Sequence, residues 1–126
     1  MGNKFGTAIN CMDGRTQIAV IEYLKSVYDV DYVDLVTEPG PNKILAENKD
    51  VAIVESIKRR VKISAGHHDS KLVAVVGHHD CAGNPADKDA QIAHILSAVE
   101  AVKHWGLNVQ VVGLWVDKNW KVRLVQ

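Results

Sequence analysis

Lys71-Leu72-Val73-Ala74-Val75-Val76-Gly77-His78-His79-Asp80-Cys81-Ala82-Gly83-Asn84-Pro85 is the stretch whose reading decides the fold. Residues 71–76 are an apolar, β-branched run closed by Gly77, the pattern of a strand buried on both faces. The next eight residues hold two histidines, an aspartate and a cysteine, so polar chemistry is concentrated where the strand stops. After this loop Asp87 or Asp89 can cap a helix, and Ile92, Ile95, Leu96, Val99 and Val102 make an apolar stripe at helical spacing that ends near Gly106. Residues 109–116 are again strongly apolar and read as a strand. A strand, a capped helix and a second buried strand are the parts of a parallel βαβ unit.

The same alternation extends toward the N-terminus. Residues 5–10 are a short strand candidate, and after Asn10-Cys11-Met12-Asp13-Gly14, Arg15 or Thr16 precedes a helical pattern with Val20, Ile21, Leu24, Val27 and Tyr28 on one face. Residues 32–36 read as a strand, and Thr37-Glu38-Pro39-Gly40-Pro41-Asn42 as a turn cluster, because each proline fixes φ and biases its predecessor away from helix. Residues 44–65 are helical in pattern, with a break at 48–50 and Asp50 as the cap of the second part. Past Asp117-Lys118-Asn119, the alternation of Trp120, Val122 and Leu124 with Lys121, Arg123 and Val125 predicts an antiparallel edge strand over 120–125. The order βαβαβαββ predicts an α/β fold: an open, mostly parallel sheet of order 2-1-3-4 with antiparallel edge strand 5 and helices on both faces.

With 126 residues and 47% hydrophobic content, residues 1–126 are expected to form a single domain around a substantial core. Fifteen basic and fifteen acidic residues cancel, so no global field draws the chain to nucleic acid or anionic lipid. The sequence has no run of about 20 apolar residues, no signal-peptide core and, at Gly6, no myristoylation serine or threonine. A cytoplasmic location is therefore expected, and there the two cysteines, 70 positions apart, point to metal binding or catalysis over a disulfide.

In such a sheet the crevice opens past the carboxyl ends of strands one and three. Cys11 and His78 sit just past those ends, and His78 and Cys81 have the short spacing of half a zinc site. With strands ~4.8 Å apart and metal bonds of roughly 2.0 to 2.3 Å, Cys11, His78 and Cys81 can surround one Zn2+ and leave its fourth position open, as catalytic sites do. Gly66-His67-His68-Asp69 repeats the Gly-His-His-Asp string but precedes strand three. It is thereby placed on the order of 20 Å from the crevice, as solvated loop histidines. His104 reads as a helix-end residue facing the macrodipole. Gly77 and Gly83 read as turn glycines, Trp105, Trp115 and Trp120 as core or edge packing, and residues 58–62 as a solvated helix face. A thiol redox protein using Cys11 and Cys81 is the competing reading, for which no Cys-x-x-Cys motif speaks.

These residues resemble the β-class carbonic anhydrases: Cys-x-Asp-x-Arg stands here as Cys11, Asp13 and Arg15, and His-x-x-Cys as His78 and Cys81. The resemblance implies zinc on Cys11, His78 and Cys81 and reversible hydration of CO2 to bicarbonate. It implies catalytic roles for Asp13 and Arg15, with Asp13 either paired to Arg15, leaving the metal open to water, or swung in as the fourth ligand. It also implies a homodimer, or a higher homo-oligomer, with the site near the interface. After strand two the family pattern Arg-x-Ala-Gly-Asn is replaced by Thr37 to Asn42, keeping only Gly40 and an asparagine, so no substrate-binding residue is assigned. Hydrolysis of CS2 or COS, known among relatives, and a non-catalytic zinc or regulatory module are the alternatives.

Overall fold

The computed structural model describes residues 3–126. In chain order the elements are β1 (Phe5–Cys11), α1 (Gly14–Tyr28), β2 (Tyr32–Glu38), α2 (Pro41–Glu47), α3 (Val51–His67), β3 (Leu72–His78), α4 (Lys88–Lys103), β4 (Gln110–Val116) and β5 (Val122–Leu124). They build one sheet of order β2-β1-β3-β4-β5, parallel except for the antiparallel β4–β5 pair, which is the expected topology.

Right-handed crossovers fix the helix faces. The connection from β1 to β2 runs one way along the sheet, whereas those from β2 to β3 and β3 to β4 run the other, so α1 lies alone on its face. Val20 and Leu24 of α1 pack there on Ala8, Ala74, Val76 and Leu114. On the opposite face Leu45 of α2, Ile57 and Val61 of α3, and Ile95 and Val99 of α4 cover Ile9, Val73 and Val75. Covered from both sides, β3 is buried at all seven positions, which is why its sequence is apolar without alternation.

The ladders end unevenly. β1 pairs with β2 through Cys11↔Glu38, and β3 with β4 through His78↔Val116, but the β1–β3 register stops at Ile9↔Val75. The two central strands therefore separate over their last residues, and the crevice lies between them.

Several boundaries differ from the sequence reading. Cys11 and His78 are the last residues of their strands, not loop residues. The segment read as a turn is divided between the end of β2 and the start of α2, whose Pro41 occupies the first turn, where its missing N–H costs nothing. Asn48, at φ 53°, separates α2 from α3. The cap of α1 is Asp13, whose Oδ1 accepts from the Arg15 amide at 2.9 Å, not Arg15 or Thr16. Val27 is 55% exposed and lies off the buried face of that helix. Asp50 and Asp87 cap α3 and α4 as expected.

His67 and His68 are both exposed, as expected, but His67 is the last residue of α3 and not a loop residue, and His68 is the C-cap. His68 Nδ1 lies 2.6 Å from Asp34 Oδ2, and its ring stacks on Phe5 with centroids 4.1 Å apart. His104 Nδ1 meets the Glu100 carbonyl at 2.7 Å, as a helix-end histidine should. Among the described residues no helix is long and apolar enough to cross a membrane.

Candidate metal centre

Three side chains converge in the crevice. Cys11 arrives on β1, His78 on β3, and Cys81 from the loop after β3; all three are buried. Their donor atoms lie within 4.8 Å of one another, and the two sulfurs are 3.8 Å apart. Two sulfurs at ~2.3 Å from a common tetrahedral ion would be separated by ~3.8 Å, so the thiols already have the spacing such an ion demands.

The histidine is prepared in the same sense. His78 Nδ1 is 2.7 Å from the His79 carbonyl, an acceptor only, which fixes the ring proton on Nδ1 and leaves Nε2 with a lone pair. That Nε2 is buried and has no hydrogen-bond partner among the described residues. A buried acceptor without a donor is costly, and a cation placed between it and the thiols would relieve the cost. The cluster is thus able to hold a metal ion, and a soft, tetrahedral one suits two sulfurs and an imidazole.

Without a metal the three donors share their protons unevenly, and a bound cation would displace those held by Cys81 and His78. The Cys81 thiol donates toward Cys11 and, against the opposing effect of burial and with help from His78, lowers the Cys11 pKa to about 4. Cys81 is pushed up by the Cys11 thiolate and by burial. Burial pulls the His78 imidazole down, but Cys11, the His79 carbonyl and Asp13 outweigh it, and its net shift is upward.

Asp13 stands at the mouth of the crevice with Oδ2 4.0 Å from His78 Nε2. Arg15 holds it in a bidentate pair, Nε to Oδ1 at 3.1 Å and Nη2 to Oδ2 at 2.7 Å. The Arg15 hydrogen bonds, against partial burial, lower the Asp13 pKa to about 2; the same pair raises Arg15. Arg15 also reaches Asp80, Nη2 to the carbonyl at 3.1 Å and Nη1 to Oδ2 at 3.3 Å, and its guanidinium lies 4.4 Å from the centre of the Trp120 ring.

Behind the cluster runs a buried amide network. Gln91 Nε2 donates to the His78 carbonyl at 2.8 Å and the Asn84 carbonyl at 2.9 Å, while Gln91 Oε1 accepts from Asn42 at 3.1 Å. This joins β3, the Cys81 loop, α2 and α4 at one point. The glycines read as turn residues serve close approach instead: neither has a positive φ. A Cβ on Gly77 would lie 2.6 Å from Asn42 Nδ2, and one on Gly83 would lie 2.4 Å from the Pro39 backbone. Trp120 is likewise more than edge packing, since it faces Arg15. The sequence reading missed Gln91, Asn42, Asn84 and Asp80. Only Gln91 left a signal, as an uncharged polar residue on the apolar stripe of α4 with Ile95, Ala98 and Val102.

A family model described as "Putative carbonic anhydrase" matches residues 1–126. The chain belongs to that family. No curated protein matches it. Among solved structures, this carbonic anhydrase family member is similar to β-carbonic anhydrase isoform I of Trichomonas vaginalis (TM-score 0.64, 14% identity, 98% of this chain and 83% of the other). It is similar to the apo form of a carbon disulfide hydrolase (TM-score 0.63, 12% identity, 97% and 78%). It is also similar to a structure from work on two tetrameric β-carbonic anhydrases of the filamentous ascomycete Sordaria macrospora (TM-score 0.56, 12% identity, 98% and 81%). At these identities the likeness is one of fold.

Proposed function

We propose that this chain is a zinc enzyme that hydrates CO2 to bicarbonate, with Cys11, His78 and Cys81 as the metal ligands. The observation that carries the reading is the unpartnered His78 Nε2, buried beside two thiols at tetrahedral spacing, with an ionised carboxylate at the mouth. Bound there, zinc would supply the Lewis acidity that makes water a nucleophile near neutral pH, as in the three-histidine carbonic anhydrases.

The chain's own residues do the rest. Asp13, ionised above about pH 2, is an acceptor that can orient an incoming water and take part in moving its proton. Arg15 engages both carboxylate oxygens and keeps Asp13 from serving as a fourth ligand. The His79 carbonyl holds the imidazole tautomer, and Gln91 holds the backbone of His78. Among the described residues the outer edge of β2 has no partner strand, and Tyr32 on it is 51% exposed. That edge and the tetrameric neighbours support a homodimer or larger, which light scattering would show.

Protein purified without chelator should carry about one zinc per chain and accelerate CO2 hydration in stopped flow, with a rate that rises with pH. Full zinc without hydration anywhere from roughly pH 6 to 9 would defeat the reading. CS2 is then the substrate to try first, because the fold match to the disulfide hydrolase is as good as that to the anhydrases and the loop after β2 is altered. Inactivity toward both would leave the non-catalytic zinc module.

A further inference from the structure

We infer that Trp120, together with Asp80, is a positioning residue: it holds Arg15 against Asp13 and so keeps Asp13 off the metal-binding donors. The inference rests on the function proposed above and assigns a part in it to the β4–β5 turn.

The turn is tightly built. The Asp117 carboxylate accepts from the Asn119 amide at 2.9 Å, the Lys121 amide at 3.0 Å and Arg123 Nε at 2.9 Å. The Asp117 amide donates to the Lys121 carbonyl at 2.9 Å, and the Trp120 amide to the Asp117 carbonyl at 2.9 Å. This closure puts Trp120 at φ 60°, a left-handed conformation that glycine or asparagine adopts readily and a bulky side chain avoids. The turn alone gives no reason for tryptophan there. Strain of this kind persists where the surrounding structure over-determines it, commonly at a functional site.

The indole is turned onto Arg15. The guanidinium reaches Asp13 and Asp80 through four hydrogen bonds, and its carbon lies over the ring, 4.4 Å from the centroid. The ring supports a fork that is partly solvated: Asp13 is 21% exposed, but Arg15 is 47% and Asp80 70% exposed, and solvated ion pairs alone hold geometry weakly. The same indole sits 6.3 Å from the His78 ring and 6.5 Å from the His79 ring, centroid to centroid, so it also borders the cluster. An Arg15 freed to swing toward solvent leaves Asp13 with its Oδ2 4.0 Å from His78 Nε2 and no cation but the metal to meet.

Cobalt(II) titrated into metal-free protein reports this without turnover, since its visible spectrum responds when azide enters the open position. Wild type should bind one cobalt and respond to azide. Trp120→Ala should bind cobalt equally and need roughly 3- to 30-fold more azide, the range expected for loss of a cation–π contact. Trp120→Phe, which keeps an aromatic face, should stay near wild type, and Asp80→Asn should fall between. Combining Asp13→Asn with Trp120→Ala should restore azide binding to that of Asp13→Asn alone, because the amide is a poor ligand. A purely structural role for the indole would give no such rescue. Should Trp120→Ala fail to fold, Trp120→Leu keeps the bulk without the quadrupole and replaces it. Cobalt-loaded Trp120→Ala with a wild-type azide response, or a defect that Asp13→Asn does not cancel, overturns the inference. A wild type that takes up no cobalt overturns the metal reading instead.

Discussion

Gln91→Ala is the substitution with the most to say about how the centre is built. It removes three hydrogen bonds at once and strands the carbonyls of His78 and Asn84 and the Nδ2 of Asn42. Gln91, Asn42, Asn84 and His78 are each only 1% exposed, so bulk water does not replace the lost partners. Each buried group left unpaired costs ~1–3 kcal/mol, and with some relaxation the sum comes to ~4 kcal/mol. Against a total stability of ~5–15 kcal/mol that is a large fraction. At an m-value of ~2 kcal/mol/M it moves the urea midpoint of the metal-free protein down by ~2 M, read by far-ultraviolet circular dichroism. Because the two stranded carbonyls belong to His78 and to the Cys81 loop, zinc affinity measured against a chromophoric chelator should also fall ~10- to 100-fold. Gln91→Met, similar in size but apolar, separates lost hydrogen bonds from lost volume and should be nearly as damaging. A midpoint shift below about 0.5 M for both variants would refute the network as a support for the site.

Three further outcomes follow from the same geometry. Gly83→Ala places a Cβ 2.4 to 2.7 Å from backbone atoms of Pro39 and Gly40 and should cost ~1–3 kcal/mol or more, whereas Gly66→Ala, with nothing within 4 Å in α3, should stabilise by ~0.5–1 kcal/mol; urea melts compare them. Asp13, with its pKa lowered to about 2, contributes stability that is fully present above its unfolded value of ~3.9 and is lost as pH falls toward 2, so acid unfolding of metal-free Asp13→Asn should be flatter over that window. Cys81→Ser should bind far less zinc by elemental analysis, and an unchanged stoichiometry would remove Cys81 from the ligand set.

The sheet was legible because its periodicities are strong. Residues 71–76 and 109–116 carry unbroken apolar runs, and the stripes of α1, α3 and α4 differ enough in period to mark the crossovers between them. Order followed from the doubly wound pattern, and the convergence of Cys11, His78 and Cys81 followed from order. What escaped was set by tertiary contact. Pro39, Gly40 and Pro41 look like a turn in isolation, yet Gly83 packs on the Pro39–Gly40 backbone and the chain winds into α2 directly after. Gly77 looks like a strand end, and only the assembled α2 and α4 show that its missing Cβ is the room that Asn42 and Gln91 occupy. Trp120 alternates correctly for a strand, but the Asp117 carboxylate closes the turn first and rotates the indole toward Arg15. Hydrophobic period reports which face is buried and says nothing of which polar groups meet across it.

The early end of the β1–β3 ladder bears on cohesion as much as on chemistry. Three residue pairs, Thr7↔Val73 to Ile9↔Val75, zip the β2–β1 half of the sheet to the β3–β4–β5 half, and beyond them the seam is open. Cys11 lies on one lip and His78 and Cys81 on the other, so an ion held by all three would act as a rivet where the backbone supplies no stitches. It would also close a loop of about 70 residues in the unfolded chain, where crosslinks restrict conformational freedom most. Removing the metal should therefore loosen the seam before the outer ladders. In hydrogen exchange, the amides of β1 and β3 nearest Cys11 and His78 should lose protection first, while β4 and the buried face of α4 hold.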